Sequence, residues 1–261
     1  MRLAAALFVC ALFGSVAQAL DLKPETVQAF DRYIRQTEAR LDRQVSSGGT
    51  FLWVDEDPRR AAAVRQGQVA IENRGAQAAL PVPDGLIHDW TGAIFIPGAT
   101  LAQTLALVQD YNRSRDYYKP EVLVSRLISR EGNNFKISLR VMKHKVITVI
   151  LDTDFEVRYF PLDGARCHSR SYSTRIAEVE NAGKPGEHAL PPGHDNGFMW
   201  RLYSYWRFQE RDGGVYVECE AISLTRAVPK GLGWLIEPVI TTLPRESLAN
   251  TLRQTRSALL K

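Results

Sequence analysis

The 261-residue chain is poor in the residues that most often carry chemistry: three cysteines, three methionines and five histidines. No two cysteines form a CxxC pair, which argues against a thiol redox centre. His88, His144, His168, His188 and His194 make no HExxH and no close pair on one element, so no metal site is spelled out. GxSxG, Walker and GxGxxG patterns are missing, and the segment from Gly231 to Trp234 places an indole where a phosphate would sit. Charge of one sign is scarce as well. The formal net charge is +4, without the concentrated basic stripe of a nucleic-acid binder. The expectation is a chain with no assignable catalytic residue, no metal, no cofactor and no nucleic-acid partner.

Long hydrophobic runs are limited to one. After Met1-Arg2 comes LAAALFVCALFGSVA and then Ala17-Gln18-Ala19, a small-x-small cleavage site. This is the pattern of a secretory signal peptide, too short for the roughly 20 apolar residues of a membrane span. The expected mature chain begins at Leu20, loses Arg2 and Cys10, and is exported to the periplasm or beyond. Removing 19 of 261 residues leaves 242, enough for one large domain or a domain with an appendage. Cys167 and Cys219 remain, in a compartment where a disulfide can persist. A bridge and two buried free thiols are both compatible with their places in expected strands.

Along the chain, residues 21–45 carry Val27, Phe30, Ile34 and Leu41 among charges, the spacing of an amphipathic helix. TFLWV at 50–54 reads as a short strand, PRRAAAVRQGQ as a second helix and VAIENRG as another short strand. A Pro-containing loop follows, and the domain boundary is placed there: 20–80 an N-terminal helical extension with short strands, 86–261 the main domain. LIHDWTGAIFIPG reads as a strand. Thr100 with Gln103 forms a capping-box signature for a helix bearing Leu101, Leu105 and Val108. Strands are expected near 122–131, 135–143, 146–160 and 166–179, where apolar and polar residues alternate as in antiparallel strands with one buried face. An 18-residue loop from Glu180 to Gly197 leads to a last hairpin. The chain closes on a helix with the stripe Leu248, Leu252, Thr255 and Leu259. A curved antiparallel sheet needs its apolar concave face covered, and the terminal helix is the late element able to do so. The expected class is α+β, a helix-grip.

The segments GLIHDWTGAIFIPG, DGGVYVECEAISL and GLGWLIEPVITTLPRESLANTLRQTRSAL resemble those of a secreted bacterial branch of the START and polyketide-cyclase-like superfamily. The resemblance covers about residues 86 to 260. It implies a deep apolar cavity between sheet and terminal helix that holds lipids, sterols or polyketides, in some relatives with catalysis. The superfamily has no universal catalytic motif, so no active-site residue carries over.

The hairpin YSYWRFQERDGGVYVECEAISL poses the sharpest question, because Glu218 and Glu220 flank Cys219. Either position of its Asp-Gly-Gly turn gives the same faces. Ser204, Trp206 and Phe208 share one with Val217, Cys219 and Ala221; Tyr205 and Arg207 share the other with Glu218 and Glu220. Arg207 opposes one glutamate or the other. A neighbouring cation lowers a carboxylate pKa, so these glutamates read as a charged outer ladder rather than a general acid. The face mixing large aromatics with Ser, Cys and Ala leaves room and reads as the inner wall.

On 166–179, Cys167, Ser169, Ser171, Ser173 and Arg175 share a face by parity, which would bring a polar strip and one cation into an apolar cavity; an edge strand wetted on both sides is the alternative. The candidate cavity lining is therefore His88, Trp90, Leu139, Val141, Val149, Phe155, Ser171, Ser173, Arg175, Ser204, Trp206, Phe208, Cys219 and Ala221, with a hydrophobic small molecule as partner. Asp152, Asp154 and Glu156 on one strand face imitate a hard-metal site but read as a solvated ladder. Lys143-His144-Lys145 and the apolar run 231–236 are candidates for transient membrane contact, the latter equally for plugging the helix start. The leading expectation is an exported carrier of an apolar molecule. A cyclase- or hydrolase-type enzyme using Arg175, His88 or a tyrosine is the alternative, and a partner-docking helix at 21–45 a third. Oligomeric state is left open.

Overall fold

In the computed structural model the described residues are 20–46, 49–75, 77–144, 148–227 and 233–261, with the backbone alone for residue 20 and for 233–241. The elements are β1 (Leu20–Asp21), α1 (Pro24–Ser46), a 3-10 turn (Trp53–Glu56), α2 (Pro58–Arg65), β2 (Ala70–Asn73), β3 (Leu80–Val82), β4 (Gly85–Pro97) and α3 (Leu101–Val108). A second 3-10 turn (Tyr111–Arg113) and α4 (Ser114–Tyr117) lead to β5 (Val122–Glu131), β6 (Asn134–His144), β7 (Thr148–Pro161) and β8 (Arg166–Glu180). The short β9 (His188–Ala189) and β10 (His194–Asp195), the hairpin β11 (Arg201–Arg211) and β12 (Gly214–Arg226), and α5 (Gly233–Leu259) complete the chain. TFLWV is not a strand: it runs into the 3-10 turn, and Leu52, Trp53 and Val54 are buried against the back of the sheet rather than paired in it.

The sheet runs β2-β4-β12-β11-β8-β7-β6-β5, antiparallel throughout, with β3 also on β4 and β9 on β8. Asp212 and Gly213 both have positive φ, the requirement of a type I′ hairpin turn, and so fix Arg207 opposite Glu218. The N-terminal strands β2 and β3 both pair with β4 and extend the sheet.

Helix α5 lies in the concave face, with Leu248, Leu252 and Thr255 buried. Its core partners are Trp90, Ile94 and Ile96 of β4 and Val215, Val217 and Cys219 of β12. Gly92 makes that seat possible, because a Cβ there would lie 2.8 Å from Leu252 Cδ1 and would also strike Ile71 Cδ1. On the convex face α1 lays Phe30, Ile34 and Leu41 against Tyr205, Ile222 and Leu224. A curved antiparallel sheet gripping its C-terminal helix is the helix-grip fold.

Adding two methyl groups and a branch at the closest approach should therefore unseat α5. Gly92→Val is expected to lower stability by roughly 1–3 kcal/mol in urea unfolding, whereas unchanged stability would mean that α5 is not seated at this point.

Candidate functional site

A cavity of about 240 Å3 opens between the concave wall of β6, β7, β8 and β11 and a roof made by residues 108–122 with Thr251 and Gln254 of α5. Its wall is mostly apolar: Ile137, Leu139, Val141, Phe155, Val157, Leu202, Trp206 and Phe208. Strand alternation places these side chains, because each lies on the concave side of its strand. Trp206 and Phe208 stack with ring centroids 6.1 Å apart, a flat aromatic floor.

Polar groups enter at three places. Tyr111 Oη of the roof and Tyr159 Oη of β7 lie 2.9 Å apart, and Tyr118 Oη of the roof lies 3.2 Å from Thr255 Oγ1. Burial raises the pKa of all three phenols, so they stay protonated. At the rim, Lys143 Nζ donates to Glu121 and to Ser247, and Ser247 Oγ donates to Glu121 at 2.7 Å. Burial alone would raise Glu121, but Lys143, Ser247 and Asn250 together hold it below the usual carboxylate value. In the wall, Ser169, Ser171 and Ser204 face the cavity.

Seven expected lining residues meet here: Leu139, Val141, Phe155, Ser171, Ser204, Trp206 and Phe208. The other seven lie elsewhere. Trp90 and Cys219 are packed solid under α5, and Ala221 packs against the same core. His88 is buried with Nε2 3.1 Å from Thr225 Oγ1, and its pKa falls to about 4 because burial disfavours the cation. Val149 is half-buried on β7 beyond the lining. Ser173 faces inward but its hydroxyl accepts the Leu202 amide at 3.0 Å.

Arg175 is the clearest correction. A β-bulge puts Ser173 opposite Phe155 and Arg175 opposite Asp154, with Thr174 as the extra residue. The parity of β8 flips there. Arg175 therefore turns outward to Asp154 at 3.8 Å, while Ile176 turns in and is buried. The lining residues beyond the expected ones are chiefly those of the roof, such as Tyr111, Tyr118 and Glu121, which lie between the helix expected after Thr100 and the strand expected near 122. Ile137, Val157 and Leu202 follow the same alternation as their predicted neighbours.

The remaining candidates are spent on structure. Asp152 forms a bidentate pair with Arg140 at 2.7 and 2.9 Å, and Glu156 pairs with Lys136 at 3.0 Å, a solvated ladder. Lys143 is held at the rim by Glu121; Lys145 and the side chains of 231–236 lie outside the described residues. Cys167 and Cys219 are free and buried, and burial raises both thiols, Cys167 to about 11. Protonated thiols of this kind are unreactive.

The glutamates of the opening hairpin overturn the expected outer ladder. Their face is the convex one, but α1 and the 53–56 turn cover it: Glu218, Glu220 and Arg207 are 3%, 5% and 5% exposed. Arg207 Nη1 donates to Glu218 at 3.3 Å and Nη2 to Gln44 of α1 at 2.7 Å. Val54 N donates to Glu218 at 3.2 Å, and Arg40 of α1 pairs with Glu220. Tyr33 Oη donates to Asp89 at 2.7 Å, and Tyr172 and Tyr205 both donate to Glu38. The expected lowering of the carboxylates does not occur at Glu218. Burial outweighs Arg207 and lifts its pKa to about 7. Asp89 rises for the same reason, with the charge of Glu220 adding to it.

No family model and no curated protein matches the chain. Among solved structures, a STAR-related lipid transfer protein from Xanthomonas axonopodis is similar at 17% identity and TM-score 0.49, covering 73% of this chain and 99% of its own. The Zhui aromatase/cyclase from a Streptomyces species is similar at 9% identity and TM-score 0.45, covering 67% and 94%. Human STARD10 is similar at 10% identity and TM-score 0.43, covering 77% and 79%. The helix-grip fold rests on the strand order and the seat of α5 and not on these likenesses.

The convex charge layer has a pH signature. Glu218 and Asp89 hold protons in the folded chain above the pH at which they lose them when unfolded, so their stabilising contribution is complete below the unfolded values of 4.5 and 3.8 and is lost as pH rises toward the folded ones. His88 and His168, both lowered to about 4 from 6.5 by burial, act oppositely between those values. Above pH 6.5 the carboxylates alone remain. Stability should thus fall by about 1 kcal/mol per such carboxylate between roughly pH 6.5 and 8.5. Asp89→Asn and Glu218→Gln should each flatten that fall in urea titrations, and slopes equal to wild type would refute the assignment.

Proposed function

We propose that the protein is an exported binding or carrier protein for an apolar small molecule held in the cavity between the sheet and the C-terminal helix. The observation that carries the reading is the cavity itself. Its 240 Å3 lies just below the range of about 300–1,000 Å3 typical of small-molecule sites, room for a small ligand. Interiors are otherwise packed to crystal density, and filling this space with branched side chains would be worth several kcal/mol of stability, so a void lined by serine beside tryptophan is maintained at a thermodynamic cost. Occupation by a ligand repays that cost through burial of its apolar surface. Export rests on the leader pattern of residues 1–19, and the buried, unreactive thiols are compatible with an oxidising compartment. Transient contact with a membrane surface, to load or release the ligand, belongs to the same proposal.

Catalysis of the cyclase or hydrolase kind keeps one structural argument. Tyr111 and Tyr159 are protonated donors in the cavity and can polarise a carbonyl. Arg175 and His88 no longer take part, since one faces solvent and the other lies in the packed wall. A docking role for α1 loses its free surface, because the apolar stripe of that helix is buried on its own sheet.

Native mass spectrometry of protein purified from its own host should show a co-purifying apolar mass. Ser204→Phe, which pushes a ring into the cavity, should abolish that mass while circular dichroism stays native. A wild-type protein that never carries such a mass, or a variant that carries it undiminished, would count against a ligand in this cavity.

A further inference from the structure

The three wall serines stand together on the concave wall, and like Ser114 of the roof they differ from the bonded hydroxyls around the cavity. Ser204 of β11 stands directly opposite Ser171 of β8, and Trp206 directly opposite Ser169. Cross-strand neighbours have Cβ atoms about 5 Å apart, and alternate residues of one strand are spaced by about 7 Å. The three hydroxyls therefore form one small patch. Ser169 and Ser171 are 2% and 8% exposed, so both are more than nine-tenths buried.

None of the three hydroxyls has a hydrogen-bond partner among the described residues. Their neighbours show what a satisfied group looks like here. Ser173 takes the Leu202 amide, Thr251 donates to the Ser247 carbonyl at 3.0 Å, and Tyr111 and Tyr159 bond each other. Buried polar groups are almost always paired, and a patch of unpaired ones facing a cavity asks for a partner supplied from the cavity. Across β7 and β6 from the patch lie Phe155, Ile137 and Leu139, and along β11 Leu202 and Phe208 stand at its two ends. The missing partner is thus a polar atom in the middle of an otherwise apolar molecule.

Charge completes the specification. The only formally charged residues lining the cavity among those described are Glu121 and Lys143, and they are bonded to each other at the rim. A carboxylate or ammonium placed at the serine patch would meet no unpaired countercharge, and burying it would be prohibitive.

We propose that the cavity selects uncharged apolar molecules bearing a carbonyl, ester or hydroxyl oxygen near mid-length, and that Ser169, Ser171 and Ser204 bind that oxygen. This rests on the carrier reading and adds the ligand's chemistry to it. Neutral hydroxyl-to-oxygen bonds set the scale of discrimination at roughly two- to tenfold per bond.

The test uses the mature chain stripped of bound small molecules, with dibutyl ketone, n-nonane and nonanoate as probes in calorimetric or tryptophan-fluorescence titrations. Wild type should bind the ketone at least roughly threefold more tightly than the alkane and than the carboxylate. Ser169→Ala/Ser171→Ala/Ser204→Ala should lose that preference and keep its alkane affinity. The single variants Ser171→Ala and Ser204→Ala should fall between, which keeps the test decisive if the triple variant folds poorly. Nonanoate as the best ligand, or serine variants with undiminished ketone affinity, would overturn the selectivity and leave the carrier reading in place. Failure of all three probes to bind would overturn both.

Discussion

The seat of Leu252 on Gly92 decides where everything else can go. Dispersion attraction falls off within an ångström, so the terminal helix takes the position where its apolar stripe touches backbone, and a glycine in β4 is where the sheet allows it. That contact draws α5 over β4 and β12, and the core beneath it is solid. The concave wall of β6 to β8 is left without a helix of its own. Its roof is the irregular stretch from Val108 to Val122, whose tyrosines bond to Tyr159 of β7, to Asp110 and to α5 instead of descending into the space below. A sheet half filled by a helix and half roofed by a loop is the physical origin of the cavity.

The same strands serve two unlike surfaces. Along β11, Ser204, Trp206 and Phe208 point into the concave side and Tyr205 and Arg207 into the convex side, because successive side chains of a strand face opposite ways. The back of the cavity wall is therefore an ion layer sealed by α1. Burying Arg207, Glu218 and Glu220 is costly unless each finds partners, and Gln44, Val54 and Arg40 of the N-terminal segment supply them. The ion layer fixes α1 in register on the sheet, while Phe30, Ile34 and Leu41 provide the burial that holds it there.

Much of the fold was legible in local pattern. The capping box at Thr100 and Gln103, a turn within Asp212-Gly213-Gly214 and the alternation of β6 and β7 all arise from interactions within a few residues, and the structure shows each of them, with the turn at Asp212-Gly213. The site was legible only where alternation continued without interruption. Phe155, Ser171 and Ser204 lie in the cavity for that reason. Arg175 does not, because one extra residue at Thr174 reverses the face and leaves no mark in composition. Trp90 and Cys219 lie on the concave side as parity requires, yet under the helix rather than under the roof, and His88 is buried beside Thr225 outside the cavity, distinctions that parity does not contain.

By itself the sequence determined most of the elements and the two faces of every unbroken strand, since backbone sterics and side-chain alternation act locally, while the hairpin register stayed open between two turn positions that share those faces. Only the tertiary structure decided which face is wet. Glu218 and Glu220 read as solvent-facing until a helix nearly two hundred residues earlier in the chain is laid over them, and burial then reverses the direction in which Glu218 titrates. It also decided which half of the concave face stays empty, because that depends on where a glycine in one strand lets a distant helix come to rest.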